Sequence, residues 1–154
     1  MRTTNALLDL AHATLWTPAV TGPEAEAVAL LRREIARRTL IHLPAHPTAS
    51  DAQTPVIRIG SLASLQESGA PEAKALLALG TPGKAESFHL RVEGGSTATG
   101  GSNATGESNA TGGQITVSLL GQDARGVLFG VGQLLRQLRM GRQRLALPAD
   151  IDLS

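Results

Sequence analysis

The stretch that decides the fold is Gln114-Ile115-Thr116-Val117-Ser118-Leu119-Leu120-Gly121-Gln122-Asp123-Ala124-Arg125-Gly126-Val127-Leu128-Phe129-Gly130-Val131-Gly132-Gln133-Leu134-Leu135. Ile115, Val117 and Leu119 alternate with polar residues, the period of a strand. After Gly121 the apolar spacing changes: Val127, Val131, Leu134 and Leu138 fall at i, i+4, i+7 and i+11, and Leu128 and Leu135 widen that stripe. Asp123 is suited to cap the helix, because a short carboxylate can accept the first free backbone N–H groups. Gly126, Gly130 and Gly132 each cost a helix roughly 1 kcal/mol against alanine. Gly126 and Gly130 are one turn apart and would let the helix backbone sit close against a sheet. Gly141 is expected to end the helix.

Moving outward, Phe88, Leu90 and Val92 alternate within Ser87–Glu93 and predict a half-buried strand that pairs with 114–120 as a hairpin. The segment between them, 95–113, repeats Ser/Asn-Ala-Thr-Gly with period six and contains no large apolar residue, so it reads as an expanded hairpin loop. Asn103 and Asn109 lie in Asn-Ala-Thr sequons, which matter only in a eukaryotic secretory pathway. Residues 13–17 and 55–60 are β-branched or aliphatic and predict two further strands. Between them, Thr21 or Gly22, Pro23, Glu24 and Glu26 mark a helix start, and Val28, Leu31 and Ile35 give the following helix one buried stripe to about Arg38. Residues 61–80 are helix-prone but weakly patterned, best at Pro71–Leu77. Arg144–Pro148 reads as a terminal strand. The division expected is an extension over 1–12, one α+β domain over 13–148, and a linker over 149–154.

The composition narrows function by exclusion. The chain has 154 residues, 42% apolar, with no cysteine and a formal net charge of +1. Disulfides, thiolate catalysis and Cys-ligated zinc are ruled out, and the small net charge opposes long-range attraction to nucleic acid or anionic membrane. No run of about 18 apolar residues exists to cross a bilayer. Trp16, Phe88 and Phe129 are the whole aromatic complement, and all three sit in apolar-patterned segments, so they are expected in the core rather than on a sugar-stacking platform.

Candidate chemistry is sparse. Glycoside hydrolysis needs two carboxylates flanking a cleft. Asp150 and Asp152 are close in sequence but lie in the expected linker, Glu24 and Glu26 read as helix-start charge, and Glu86 and Glu93 as surface charge. His42 and His46 are four apart, but Pro44 and Pro47 break any helix that could point both at a metal; His12 is isolated, and His89 is expected on the outer side of its strand. Ser61, Ser64, Ser87 and Ser118 have no nucleophile-elbow context. The Gly121–Gly132 turn with Arg125 could cradle a phosphate at a helix N-terminus, yet its glycines lie inside the helix and suit close packing. Asp123 as a cap, and Arg125 bonding strand-end carbonyls, are the expected structural roles. The arginines at 32, 33, 37 and 38, and at 136, 139, 142 and 144, fall largely at helix ends, where cations complement the dipole.

The run Phe88–Gly95, the strand to Leu120, and Asp123-Ala124-Arg125-Gly126-Val127-Leu128-Phe129-Gly130 together resemble the N-terminal domain of α-glucuronidases, which is similar to the domain preceding the barrel in β-N-acetylhexosaminidases. Ala27 through Thr39 and on to Leu43-Pro44 is similar to that family's helix, with Leu40 where its pattern has glycine. The resemblance covers most of 13–154. It implies a mixed β-sheet with two main amphipathic helices packed on one face, in a non-catalytic scaffold domain of a glycoside hydrolase of plant-polysaccharide (xylan) degradation. It implies no catalytic, metal-binding or cofactor-binding residue here. It also implies a partner in the catalytic barrel of the same parent chain, self-association through the face left uncovered, and a secreted or periplasmic parent. Asp123, Arg125, Gly126 and Gly130 carry the structural motif. A stand-alone carbohydrate-binding module and a small phosphate-binding domain remain alternatives.

Overall fold

The computed structural model describes residues 7–18, 22–44, 55–94, 115–149 and 151–153. The period-six insert, both sequons, Thr21, His46 and Asp150 lie outside the described residues. The chain runs β1 (Leu7–Asp9), β2 (Thr14–Trp16), α1 (Gly22–Thr39), β3 (Val56–Ser61), α2 (Leu62–Ser68), α3 (Pro71–Leu77), β4 (Phe88–Glu93), β5 (Thr116–Gly121), α4 (Ala124–Gln137), β6 (Arg139–Gly141), β7 (Arg144–Pro148) and β8 (Asp152–Leu153). It is an α+β fold with a five-stranded mixed sheet, ordered β2-β3-β5-β4-β8, and a three-stranded antiparallel sheet, ordered β1-β7-β6.

The deciding stretch forms the centre. β5 pairs in parallel with β3 and antiparallel with β4, the expected hairpin partner, so that Leu90 faces Leu119 and Val92 faces Val117. α1 and α4 lie side by side on one face of the large sheet and close the main core, in which Leu31, Ile35, Ile57, Ile59, Leu119, Val131 and Leu134 are fully buried. α2 and α3 cover part of the opposite face, where Leu65, Ala73, Leu76 and Leu120 form a second, smaller core. The alternation of 114–120 suggested a half-buried strand. Instead every residue of β5 is buried, because helices cover both of its faces.

Several boundaries differ from expectation for identifiable reasons. The helix-prone span 61–80 is two short helices, with Gly69 at φ 69° as the left-handed cap that ends the first. α4 stops at Gln137 rather than Gly141. Leu138 continues the apolar stripe and stays buried, but from extended backbone that leads into β6. Residues 7–10 of the expected extension belong to the fold: β1 pairs with β7, and Leu8 and Leu10 enter the main core. In the expected linker, Asp152 pairs with Arg91 across β8 and β4, and Ile151 is buried. Phe129 is not a core residue. It lies on the outer side of α4 and is 48% exposed, whereas Phe88 packs against the main core and Trp16 against the smaller one.

Candidate functional site

The start of α4 is tied to the loop before β4 by side-chain and backbone bonds. Asp123 adopts extended backbone, and its Oδ1 accepts the Gly126 N–H at 2.9 Å, an N-cap bond. Its Oδ2 accepts the Glu86 N–H at 3.1 Å. The Arg125 guanidinium donates to Glu86 Oε2 at 2.6 Å, not to strand-end carbonyls as expected. Gln122 N–H donates to the Ser87 carbonyl at 2.9 Å, and Gln122 Oε1 accepts the Gly83 N–H at 2.8 Å. The loop before β4 is thus latched to the start of α4. The Gly126 and Glu86 N–H groups hold the Asp123 carboxyl below the usual aspartate range.

The glycines of this unit are places of contact. A Cβ on Gly126 would run into the Ser87 carbonyl oxygen, and one on Gly130 into the Leu119 side chain. Gly132 differs, because a Cβ there meets nothing within 4 Å. As an anion cradle the turn is already filled: the Asp123 carboxylate takes the Gly126 N–H that a phosphate would use, and Arg125 is committed to Glu86. The phosphate reading therefore loses the Gly126 N–H to Asp123 and shares Arg125 with Glu86.

A second polar cluster was not legible in the sequence. Glu24, in the first turn of α1, is 8% exposed and accepts three bonds. These come from Ser61 N at 2.8 Å, Ser61 Oγ at 2.7 Å and Ser64 Oγ at 2.8 Å. Ser61 is also the N-cap of α2, in a capping box with Ser64. Glu24 is accordingly more than helix-start charge, since it ties two helix N-termini and the end of β3 together. The only hint in the sequence was a Ser-x-x-Ser after a strand, which specifies a cap but not a carboxylate 37 residues upstream.

The remaining candidates do not converge. Ser118 is buried in β5, and Ser87 bonds the Lys84 carbonyl in a turn. His89 is half-buried on the opposite side of β4 from Leu90, and His12 and His42 are exposed and apart. Asp152 and Glu93 flank Arg91 at 3.6 and 3.7 Å. Among the described residues no group of three or more His, Asp or Glu could hold a metal ion. A groove of about 770 Å³ runs along α1 over Val28, Ala29, Ala36 and Leu40, with Arg32, Arg33, Arg37 and His42 on its walls. The Arg32 Nε there is buried without a hydrogen-bond partner, as is the Arg58 Nε on β3. A second groove, of about 630 Å³, lies on the outer face of the three-stranded sheet; its one carboxylate, Asp9, accepts the Ala11 N–H at 2.9 Å. Neither groove presents the two carboxylates that glycoside hydrolysis requires.

No protein-family model matches the chain, and no curated protein matches it. Solved structures do. The structure of CpGH84B, a family GH84 glycoside hydrolase, superposes over 99% of this chain with a TM-score of 0.53 at 13% identity. That of BtGH115A, a family GH115 4-O-methyl-α-glucuronidase with specificity for decorated arabinogalactans, covers 95% of it with a TM-score of 0.47 at 17% identity. The chain spans 20% and 18% of the length of those two proteins. It thus has a fold that occurs as one part of a much longer glycoside hydrolase.

Proposed function

We propose that this chain is a non-catalytic accessory domain of a glycoside hydrolase, of the α-glucuronidase type, and serves as a scaffold for a catalytic barrel in polysaccharide degradation. The observation that carries the reading is the match of nearly the whole chain to one fifth of CpGH84B. The outer side of α4 supports it as well. Leu128 and Phe129 are 43% and 48% exposed there, and Gly132 beside them leaves open space where a partner surface could approach the helix backbone.

The test is the reading frame of the source gene beyond Ser154. A frame that continues for several hundred codons with the strand–helix alternation of a barrel supports the reading; a stop codon directly after Ser154 overturns it. The isolated chain is expected to release no 4-nitrophenol from 4-nitrophenyl glycosides. Turnover that survives repurification would overturn the non-catalytic part.

A further inference from the structure

The arginines that are separate in sequence meet in space. The Gln143 N–H donates to the Thr39 carbonyl at 2.8 Å, which seats the β6–β7 turn on the C-terminal end of α1. Arg37 and Arg38 of the last turn of α1 therefore share one end of the molecule with Arg142 and Arg144. Arg136, in the last turn of α4, leads directly into Arg139. Helix dipoles account for Arg37, Arg38 and Arg136. They do not account for Arg139, Arg142 and Arg144, which belong to a β-hairpin.

On that hairpin Arg139 lies opposite Ala146 and Arg144 opposite Gly141, while Met140 and Leu145 form the pair between them. Alternation then puts Arg139 and Arg144 on the same outer face, as diagonal neighbours about 7–8 Å apart. Diagonal neighbours at that spacing are within reach of side chains as long as arginine. All four arginines from 136 to 144 are exposed, and neither Arg139 nor Arg144 has an ion-pair partner among the described residues. Between them the floor is small, Gly141 and Ala146, and it forms the base of the groove of about 630 Å³ walled by Leu7, Asp9 and His12. Glu34, the nearest carboxylate on α1, is already bonded to Arg37 at 2.7 Å and lies 3.4 Å from Arg38.

We propose that the outer face of the β1-β7-β6 sheet is a binding surface for a carboxylate-bearing oligosaccharide, held by Arg139 and Arg144. Guanidinium groups bind carboxylates through paired N–H donors, and two of them on a shallow floor suit two acid groups of one extended sugar chain. A nucleic acid duplex fits less well. It presents a charge about every 1.7 Å and binds through many neutralised phosphates, whereas this groove is lined by two guanidinium groups, those of Arg139 and Arg144. The choice of a sugar rests on the glycoside-hydrolase reading above; the anionic specificity rests on the arginines.

The experiment is calorimetric titration of the full chain with a hexameric oligogalacturonate, neutral xylohexaose and a short DNA duplex. Oligogalacturonate is expected to bind, to weaken as salt is added, and to bind Arg139→Gln/Arg144→Gln about tenfold or more weakly. The control Lys74→Gln/Lys84→Gln removes the same charge from exposed positions elsewhere and is expected to bind like the unaltered chain; circular dichroism melts check that both variants fold. The proposal is overturned by no binding of oligogalacturonate, by equal binding of xylohexaose, by equal weakening in both variants, or by tighter binding of the duplex. Failure here with a continuous barrel frame downstream sinks only this surface. Binding here with a stop codon sinks only the accessory-domain reading.

Discussion

Gly126 and Gly132 lie on the same helix, α4, but have different roles. Gly126 is held against the Ser87 carbonyl, so Gly126→Ala must push α4 off the sheet edge and is expected to cost about 3 kcal/mol. A Cβ on Gly132 would meet nothing within 4 Å, so Gly132→Ala is expected to gain about 1 kcal/mol from helix propensity alone. Thermal melts of the two variants, shifted in opposite directions, check both. Leu40 supplies a third residue-level test. It sits at φ 67° just past α1, where a left-handed backbone strains any side chain, and it is 51% exposed, so it returns little burial. Leu40→Gly is expected to stabilise the fold by about 0.5–1 kcal/mol, read by urea unfolding. The resemblance had marked this position as a glycine site, and the strained φ gives the physical reason.

At the scale of elements, two carboxylates act as ties. Asp123 binds the start of α4 and the loop before β4, and these N–H donors depress its carboxyl below the ordinary aspartate value. A depressed native value means that its contribution is present above the unfolded-state pKa and is lost as pH falls through the native one. Stability should therefore decline on acidification through that window. Asp123→Asn should be less stable near neutrality and show a shallower decline, measured as urea midpoints across an acid pH series. Glu24 ties α1 to the start of α2. Removing a buried charged acceptor leaves its donors unmet, so Glu24→Ala is expected to cost about 2 kcal/mol by chemical denaturation. The helix of 124–137 could be read from its periodicity and cap. The Glu24 tie could not, because a carboxylate in a first helical turn looks the same whether it meets the dipole or a serine from another strand.

Over the whole molecule, the large sheet has two unlike faces. α1 and α4 seal one with the main core, and α2 and α3 cover only part of the other. The polar positions of β5 are buried along with the apolar ones, which local alternation alone cannot signal. The ion pairs of Arg91 with Glu93 and Asp152 are exposed and long, at 3.7 and 3.6 Å, so Asp152→Asn is expected to shift the melting temperature by less than about 2 °C. The exposed Leu128–Phe129 pair behaves differently from core apolar residues at this scale. Phe129→Ser should leave stability nearly unchanged, while any self-association of the isolated chain, followed by sedimentation, should decrease.

Local chemistry was sufficient for the strand–turn–helix unit of 116–137, the β4–β5 pairing, the Asp123 cap and the two main amphipathic helices. Each of these depends on residues within one element or across one hairpin, where spacing and capping chemistry specify the type of element and its main apolar stripe. The rest depended on contacts between residues distant in the chain. β1 exists because β7 offers it an edge, and Phe129 is outside because Gly126 and Gly130 turn the other side of α4 to the sheet. Arg37 and Arg38 come to lie beside Arg142 and Arg144 only because the β6–β7 turn bonds the end of α1. Periodicity records which face of an element is apolar, but it carries no record of what will be brought against that face or beside its polar edge; only the packed chain decides that.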